Sequence, residues 1–109
     1  MIEKNKLIGM ITLLQESGSK MKHRANIFAM YVSPHGRRKG VGKALMEQAI
    51  RQAKETNEIE KINLSVISSN ESAKNLYLQM GFKVFGIEEM ALKERDVYYE
   101  EQHMTMILK

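Results

Sequence analysis

The chain has 109 residues, of which 43% are hydrophobic and 28% are charged, and it contains no cysteine. Its length is that of one domain, because domains usually hold about 100–150 residues. The absence of cysteine excludes a disulfide framework, a cysteine-ligated zinc site and a thiol nucleophile. The sequence shows no signal peptide and no run of about 18 apolar residues that could span a membrane, so we expect a cytoplasmic protein.

The positive charge is concentrated in one part of the chain. The net charge is +4, and seven Lys or Arg residues lie between Glu16 and Glu47 without an acidic residue among them. A segment of one charge sign favours a polyanionic partner, which could be nucleic acid, an anionic membrane or a phosphorylated small molecule. A solvated basic surface is the alternative explanation.

Hydrophobic periodicity and turn residues predict a mixed α/β (α+β) chain with the element order β-β-α-β-α-β-β. The first two strands are expected to form an antiparallel hairpin, because only a short loop separates them. The second helix has Asn70 or Ser69 as its N-cap and ends at Gly81. The predicted elements are strands over 6–14 and 21–32, helix Val41–Glu55, strand Lys61–Ile67, helix Glu71–Met80, a strand over 82–87, a charged loop over 91–101 and a strand over 103–108.

The first predicted helix is amphipathic. At about 100° per residue, its apolar residues fill one half of the helical wheel and its charged residues fill the other. This width suits packing against a sheet. The apolar half consists of Val41, Leu45, Met46, Ala49, Ile50 and Ala53.

Residues 36–43, GRRKGVGK, are the segment that points most clearly to a chemical function. They lie directly between a predicted strand and the N-terminus of a predicted helix. The free amides and the dipole of a helix start attract phosphate. Gly40 and Gly42 allow a ligand to approach the backbone, and the basic residues add positive charge. The segment is therefore suited to a diphosphate.

Two common phosphate motifs do not fit this segment. A P-loop needs Ser or Thr after Gly-Lys, whereas Ala44 follows Lys43. A dinucleotide-binding fingerprint needs a third glycine where Leu45 stands, and the next strand ends without an acid for the ribose.

A third pattern does fit. Arg37-x-x-Gly40-x-Gly42, after a strand ending Tyr31-Val32-x-Pro34, resembles the acyl-CoA loop of the GNAT family of N-acetyltransferases. Asn70-x-x-Ala73-x-x-Leu76-Tyr77-x-x-x-Gly81-Phe82 resembles the second acyl-CoA-contacting helix of that family, and Tyr98-x-Glu100 followed by Met104-x-Met106 is similar to its last hairpin. The resemblance covers about residues 6–109. It implies the acyl-CoA N-acyltransferase fold, with a mixed, largely antiparallel sheet and two main helices.

The resemblance also implies a cofactor site. Strand backbone would pair with the pantetheine arm, the loop amides would hold the pyrophosphate, and residues of the second helix would contact the cofactor arm. The Tyr77 hydroxyl would donate a proton to the CoA sulfur, which makes it the one predicted catalytic residue. The implied cofactor-binding residues are Met30, Tyr31, Val32, Arg37, Arg38, Lys39, Gly40, Val41, Gly42, Lys43, Asn70, Ala73, Lys74 and Tyr77.

The implied reaction is transfer of an acetyl group from acetyl-CoA to a primary amine by direct attack on the thioester. It needs no metal, and no two of His23, His35 and His103 have metal-ligand spacing. The general base and the acceptor amine are not identified by the sequence. A CoA-binding module without turnover is the main alternative. A nucleic-acid binder is disfavoured, because no helix-turn-helix is readable and no aromatic residues alternate with the basic ones.

The chain departs from the family pattern at its start. The family normally has a strand and two helices ahead of the strand predicted over 6–14. We therefore expect a single, N-terminally truncated acetyltransferase domain over residues 1–109. Uncovered sheet edge and apolar surface predict that the chain forms a homodimer or packs tightly with another partner.

Overall fold

The computed structural model describes residues 2–3, 6–7, 9–32 and 40–108, with side chains described for 9–28 and 40–108. It contains two compact units, one formed by Met1–Ile62 with Leu108–Lys109 and the other by Asn63–Ile107. Among the described residues, no helix is long and apolar enough to cross a membrane. The elements are β1 (Ile2–Glu3), β2 (Lys6–Leu7), β3 (Gly9–Gln15), β4 (Arg24–Val32), α1 (Val41–Glu55), β5 (Lys61–Ile67), α2 (Glu71–Met80), β6 (Lys83–Glu94) and β7 (Val97–Ile107).

The predicted order of the longer elements is confirmed. The strand predicted over 6–14 is divided between β2 and β3, and the two-residue strand β1 pairs with β2. Both predicted helices and the strand Lys61–Ile67 have the bounds expected from the sequence. The pairs β1–β2, β3–β4 and β6–β7 are antiparallel.

The first unit contains the predicted hairpin. Strands β3 and β4 pair from Gly9 opposite Val32 to Gln15 opposite Ala25, with an irregularity between Met10 and Thr12. The second strand begins three residues later than the prediction over 21–32, because residues 21–23 belong to the connecting turn.

Gly18 makes that turn possible. Its φ of 98° is a backbone conformation that only glycine adopts at low cost. The amides of Met21 and Lys22 both donate to the Gly18 carbonyl at 3.1 Å. The backbone hydrogen bonds of these residues are therefore used within the turn.

Helix α1 also lies in the first unit. Its six buried residues are those of the predicted apolar half. Ile11 of β3 packs against Val41 and Leu45, so the apolar face of the helix covers this strand. The charged residues of the opposite face, among them Lys43 and Glu47, are exposed. The amphipathic pattern therefore gave both the position and the orientation of α1 correctly.

The second unit contains most of β5, helix α2 and the β6–β7 hairpin. Strand β7 lies between β5 and β6 in the sheet. Phe82 and Met104 are almost fully buried. Helix α2 ends at Gly81, whose φ of 109° is left-handed and whose amide donates to the Leu78 carbonyl. This is the predicted glycine stop signal.

The charged loop predicted over 91–101 is wrong. Strand β6 continues to Glu94, β7 begins at Val97, and Arg95 and Asp96 form a two-residue turn with φ values of 50° and 66°. Positive φ at both central positions is typical of a tight hairpin turn. The hairpin escaped prediction because almost every residue of β6 is exposed, so the strand lacks the alternation that one buried face imposes. The strands predicted over 82–87 and 103–108 are correspondingly too short.

Candidate functional site

The N-terminus of α1 is open. Gly40 is the N-cap residue, with φ 68° and ψ 24°, and it makes no side-chain cap. The first helical hydrogen bond runs from the Ala44 amide to the Gly40 carbonyl at 3.0 Å. The next three residues, Val41 to Lys43, carry amides of the kind that a helix leaves unsatisfied, and no acidic side chain lies in this first turn.

The surroundings of this helix start favour an anion. A Cβ placed on Gly40 would meet no atom of the described residues within 4 Å, so a ligand has room to approach the backbone there. Val41 is buried and anchors the first turn, whereas Lys43 is exposed and adds a positive charge. The helix dipole adds roughly half a positive charge at the same end. These features fit a phosphate group.

Six of the predicted cofactor-binding residues are described partly or not at all. Met30, Tyr31 and Val32 lie in β4, as predicted, but only their backbone is described. Arg37, Arg38 and Lys39 lie outside the described residues, and their roles stay predictions.

The N-terminus of α2 differs from that of α1, because a side chain caps it. The Asn70 side-chain oxygen accepts a hydrogen bond from the Ala73 amide at 3.2 Å, and Glu71 lies in the first turn. The predicted cap is therefore confirmed for Asn70, and the alternative, Ser69, is not the cap. The Nδ2 group of Asn70 has no partner among the described residues, so its donor side is available. Lys74 pairs with Glu71 at 3.2 Å, which offsets its charge.

Tyr77 is the buried residue of α2. Its exposed fraction is 7%, and its ring meets the Phe82 ring edge-on at a centroid distance of 6.2 Å. Burial raises the pKa of the Tyr77 hydroxyl above 10.0, because the phenolate loses solvation. The hydroxyl therefore keeps its proton at neutral pH and is able to donate it.

The structure groups the described candidates by helix. Gly40, Val41, Gly42 and Lys43 lie at the start of α1, whereas Ala73, Lys74 and Tyr77 lie on α2 and Asn70 is its N-cap. Their roles toward a cofactor stay predictions.

Sequence reasoning missed a group around His103. The Nδ1 atom of His103 lies 2.8 Å from the Ser65 hydroxyl, and its Nε2 atom lies 3.5 Å from a carboxylate oxygen of Glu88. No local motif could have found this group, because Ser65 and His103 are 38 residues apart in the chain.

Comparisons with known proteins agree with the sequence resemblance. The family model described as "Acetyltransferase (GNAT) family" matches residues 1–82. A search of curated protein sequences gives no significant match.

Solved structures of the same fold cover nearly the whole chain. A GNAT-family acetyltransferase from Streptococcus pneumoniae has a TM-score of 0.90 and 20% identity over 99% of this chain and 64% of its own. A probable acetyltransferase from Staphylococcus epidermidis has a TM-score of 0.86 and 26% identity over 99% of this chain and 65% of its own. YncA from Salmonella typhimurium, solved with its cofactor acetyl-CoA, has a TM-score of 0.87 and 19% identity over 98% of this chain and 62% of its own.

The chain thus spans slightly less than two thirds of the length of each of these relatives. Their TM-scores confirm the predicted mixed α/β fold. Because the family model matches about three quarters of the sequence, the chain belongs to the GNAT family of acetyltransferases.

Proposed function

We propose that this chain binds acetyl-CoA and transfers its acetyl group to a primary amine. The observation that carries the proposal is the open N-terminus of α1, in a chain of the GNAT family. Of the two helix starts described, α2 is capped by Asn70 and followed by Glu71, whereas α1 has neither a side-chain cap nor an acid. Of these two, the start of α1 is therefore the more open to an anionic ligand.

In this proposal the amides from Val41 to Lys43 hold the CoA pyrophosphate, together with the Lys43 ammonium group. Arg37, Arg38 and Lys39 add charge from the preceding loop. The backbone of Met30–Val32 pairs with the pantetheine arm. At the start of α2, the side-chain NH₂ group of Asn70 donates to the pantetheine arm, and Ala73 and Lys74 flank that arm.

The proposed chemistry is a direct transfer. The amine nitrogen attacks the thioester carbonyl carbon, the new C–N bond forms, and the C–S bond breaks to release CoA as a thiolate. The Tyr77 hydroxyl donates its proton to that sulfur. The amine must lose a proton before it attacks, and we assign no residue to that step. The acceptor is a primary amine of unspecified identity.

Calorimetry with acetyl-CoA and desulfo-CoA tests the proposed site. Gly40→Glu places a carboxylate at the start of α1, and we expect it to abolish binding of both ligands. Gly18→Glu is the matched control. It adds the same charge at another glycine with positive φ and no described atom within 4 Å of its Cβ, but at the hairpin turn. Equal affinities of the two variants would overturn the assignment of the phosphate site.

A turnover assay on a panel of amines distinguishes an acetyltransferase from the main alternative, a CoA-binding module without turnover. Release of CoA, followed with a thiol reagent, supports acetyl transfer. Micromolar binding without release on any amine would instead indicate a CoA-binding module.

We also propose that the chain forms homodimers. Large apolar side chains of the β6–β7 hairpin are exposed, including Phe85 at 60%, Ile87 at 60% and Ile107 at 62%. Apolar residues exposed together favour association. Sedimentation at tens of micromolar checks this, and a single monomeric species would contradict it.

A further inference from the structure

Three potential metal ligands meet on the β6–β7 hairpin. Glu88 of β6 stands directly opposite Glu101 of β7, and His103 lies two residues further along β7. One ligand atom of each residue lies within 4.8 Å of the other two. The His103 Nε2 atom lies 3.5 Å from Glu88 Oε1. The three side chains therefore converge on one point.

A fourth residue orients the histidine. The Ser65 hydroxyl of β5 lies 2.8 Å from His103 Nδ1. When the Nδ1 hydrogen is donated to this hydroxyl, the lone pair of the imidazole is on Nε2, which faces Glu88. Histidines that bind metals usually have such a partner on the second ring nitrogen, and it fixes both the tautomer and the ring orientation.

The charge arrangement also favours a cation. Two carboxylates directly opposite each other on paired strands repel, and such pairs destabilise a sheet. Glu101 and His103 are partly buried, whereas Glu88 is exposed. The Phe85 ring lies 6.1 Å from the imidazole. Water therefore screens the repulsion incompletely on the Glu101 side, and a bound cation would remove it.

We propose that Glu88, Glu101 and His103 bind a divalent transition metal of the Zn²⁺ class. Two ligands held at about 2.0–2.1 Å from Zn²⁺ in a tetrahedral arrangement are about 3.3 Å apart. The 3.5 Å between His103 and Glu88 is already close to that value. The separations of up to 4.8 Å close by rotation of the glutamate side chains, which are long and not fully buried.

The donor set selects the metal. One imidazole and two carboxylates suit Zn²⁺, Co²⁺ or Mn²⁺, whereas Ca²⁺ and Mg²⁺ prefer oxygen ligands alone. Three protein ligands leave the fourth position to water. The metal would join β6 to β7 through their side chains, so its binding stabilises the hairpin.

The test uses the untagged full chain, because a histidine tag would itself bind the metal. Calorimetry with Zn²⁺ and the visible absorption of Co²⁺ measure binding, and EDTA reverses it. We expect one equivalent to bind, with a rise in the melting temperature, while Ca²⁺ and Mg²⁺ give no comparable rise. Failure of both Zn²⁺ and Co²⁺ to bind would overturn the proposal and leave only the contact between His103 and Glu88.

Variants locate the bound metal. Glu88→Gln and His103→Gln should each weaken Zn²⁺ binding by about tenfold or more, and Ser65→Ala by about 10–100-fold through loss of orientation. Ser65→Thr keeps a hydroxyl and should retain binding. Glu89→Gln is the matched control, because Glu89 is an exposed neighbour of Glu88 outside the group. Zn²⁺ affinity that is equal in the Glu88 and Glu89 variants would refute this site. Glu88 is exposed, so its variant is expected to fold.

Discussion

Replacement of Tyr77 by Phe isolates the contribution of one hydroxyl. The phenylalanine ring fills the same buried volume and keeps the edge-on contact with Phe82, whose centroid lies 6.2 Å away. Only the hydroxyl is removed, so the expected loss of stability is that of a typical hydrogen bond, about 1 kcal/mol. Truncation to alanine would instead remove the ring and cost about 3–5 kcal/mol. Tyr77→Phe thus leaves the fold intact while it removes the proposed acid.

The expected catalytic effect is much larger than the structural one. A positioned general acid contributes about 10²- to 10⁴-fold to the rate, which corresponds to about 2.7–5.4 kcal/mol of the barrier. The affinity for acetyl-CoA should change by no more than about twofold, since a single hydrogen bond to sulfur is weak. Turnover measured by CoA release, alongside calorimetry on the same preparation, gives both quantities.

Tyr98→Phe is the control for Tyr77→Phe. Tyr98 is 49% exposed, so the same chemical change at that position should alter neither turnover nor stability. Full turnover in Tyr77→Phe would refute the role of the hydroxyl as the acid. Loss of CoA affinity together with turnover would show that the residue shapes the cofactor site and does not deliver the proton.

Two further predictions concern α2. Burial raises the pKa of Tyr77 above 10.0. This hydroxyl should therefore leave the folding stability unchanged below about pH 10 and lower it above that pH, because the unfolded chain releases the proton first. Denaturation between about pH 9 and 11 should show a smaller fall in Tyr77→Phe, and identical slopes would contradict the shift. Asn70→Ala should lower stability by about 1 kcal/mol through loss of the cap, whereas Asn70→Asp keeps an oxygen for the Ala73 amide. If CoA affinity falls in the alanine variant but not in the aspartate variant, the Asn70 NH₂ group does not contact the cofactor.

The helices were predictable because their signals are local. The apolar residues of α1 recur with the helical period, and its bounds and buried face followed from them. The bounds of α2 followed from Asn70 and Gly81, which act within one turn of the helix ends. The β6–β7 hairpin was not predictable in the same way. Its first strand, β6, is almost wholly exposed and carries no period-2 pattern, and its turn uses Arg95 and Asp96 where Asn-Gly is more usual.

The same distinction between local signals and tertiary contacts applies to the candidate site. The sequence by itself determined the family resemblance and the position of Gly40 before α1, since both depend on residues within a few positions of one another. Only the tertiary structure decided that Tyr77 is buried, which raises the pKa of its hydroxyl. Only strand pairing brought Glu88 and Glu101 to opposite positions and placed Ser65 beside His103, 38 residues away. Contacts of this kind depend on strand register, which a single sequence specifies only weakly where a strand such as β6 has no buried face.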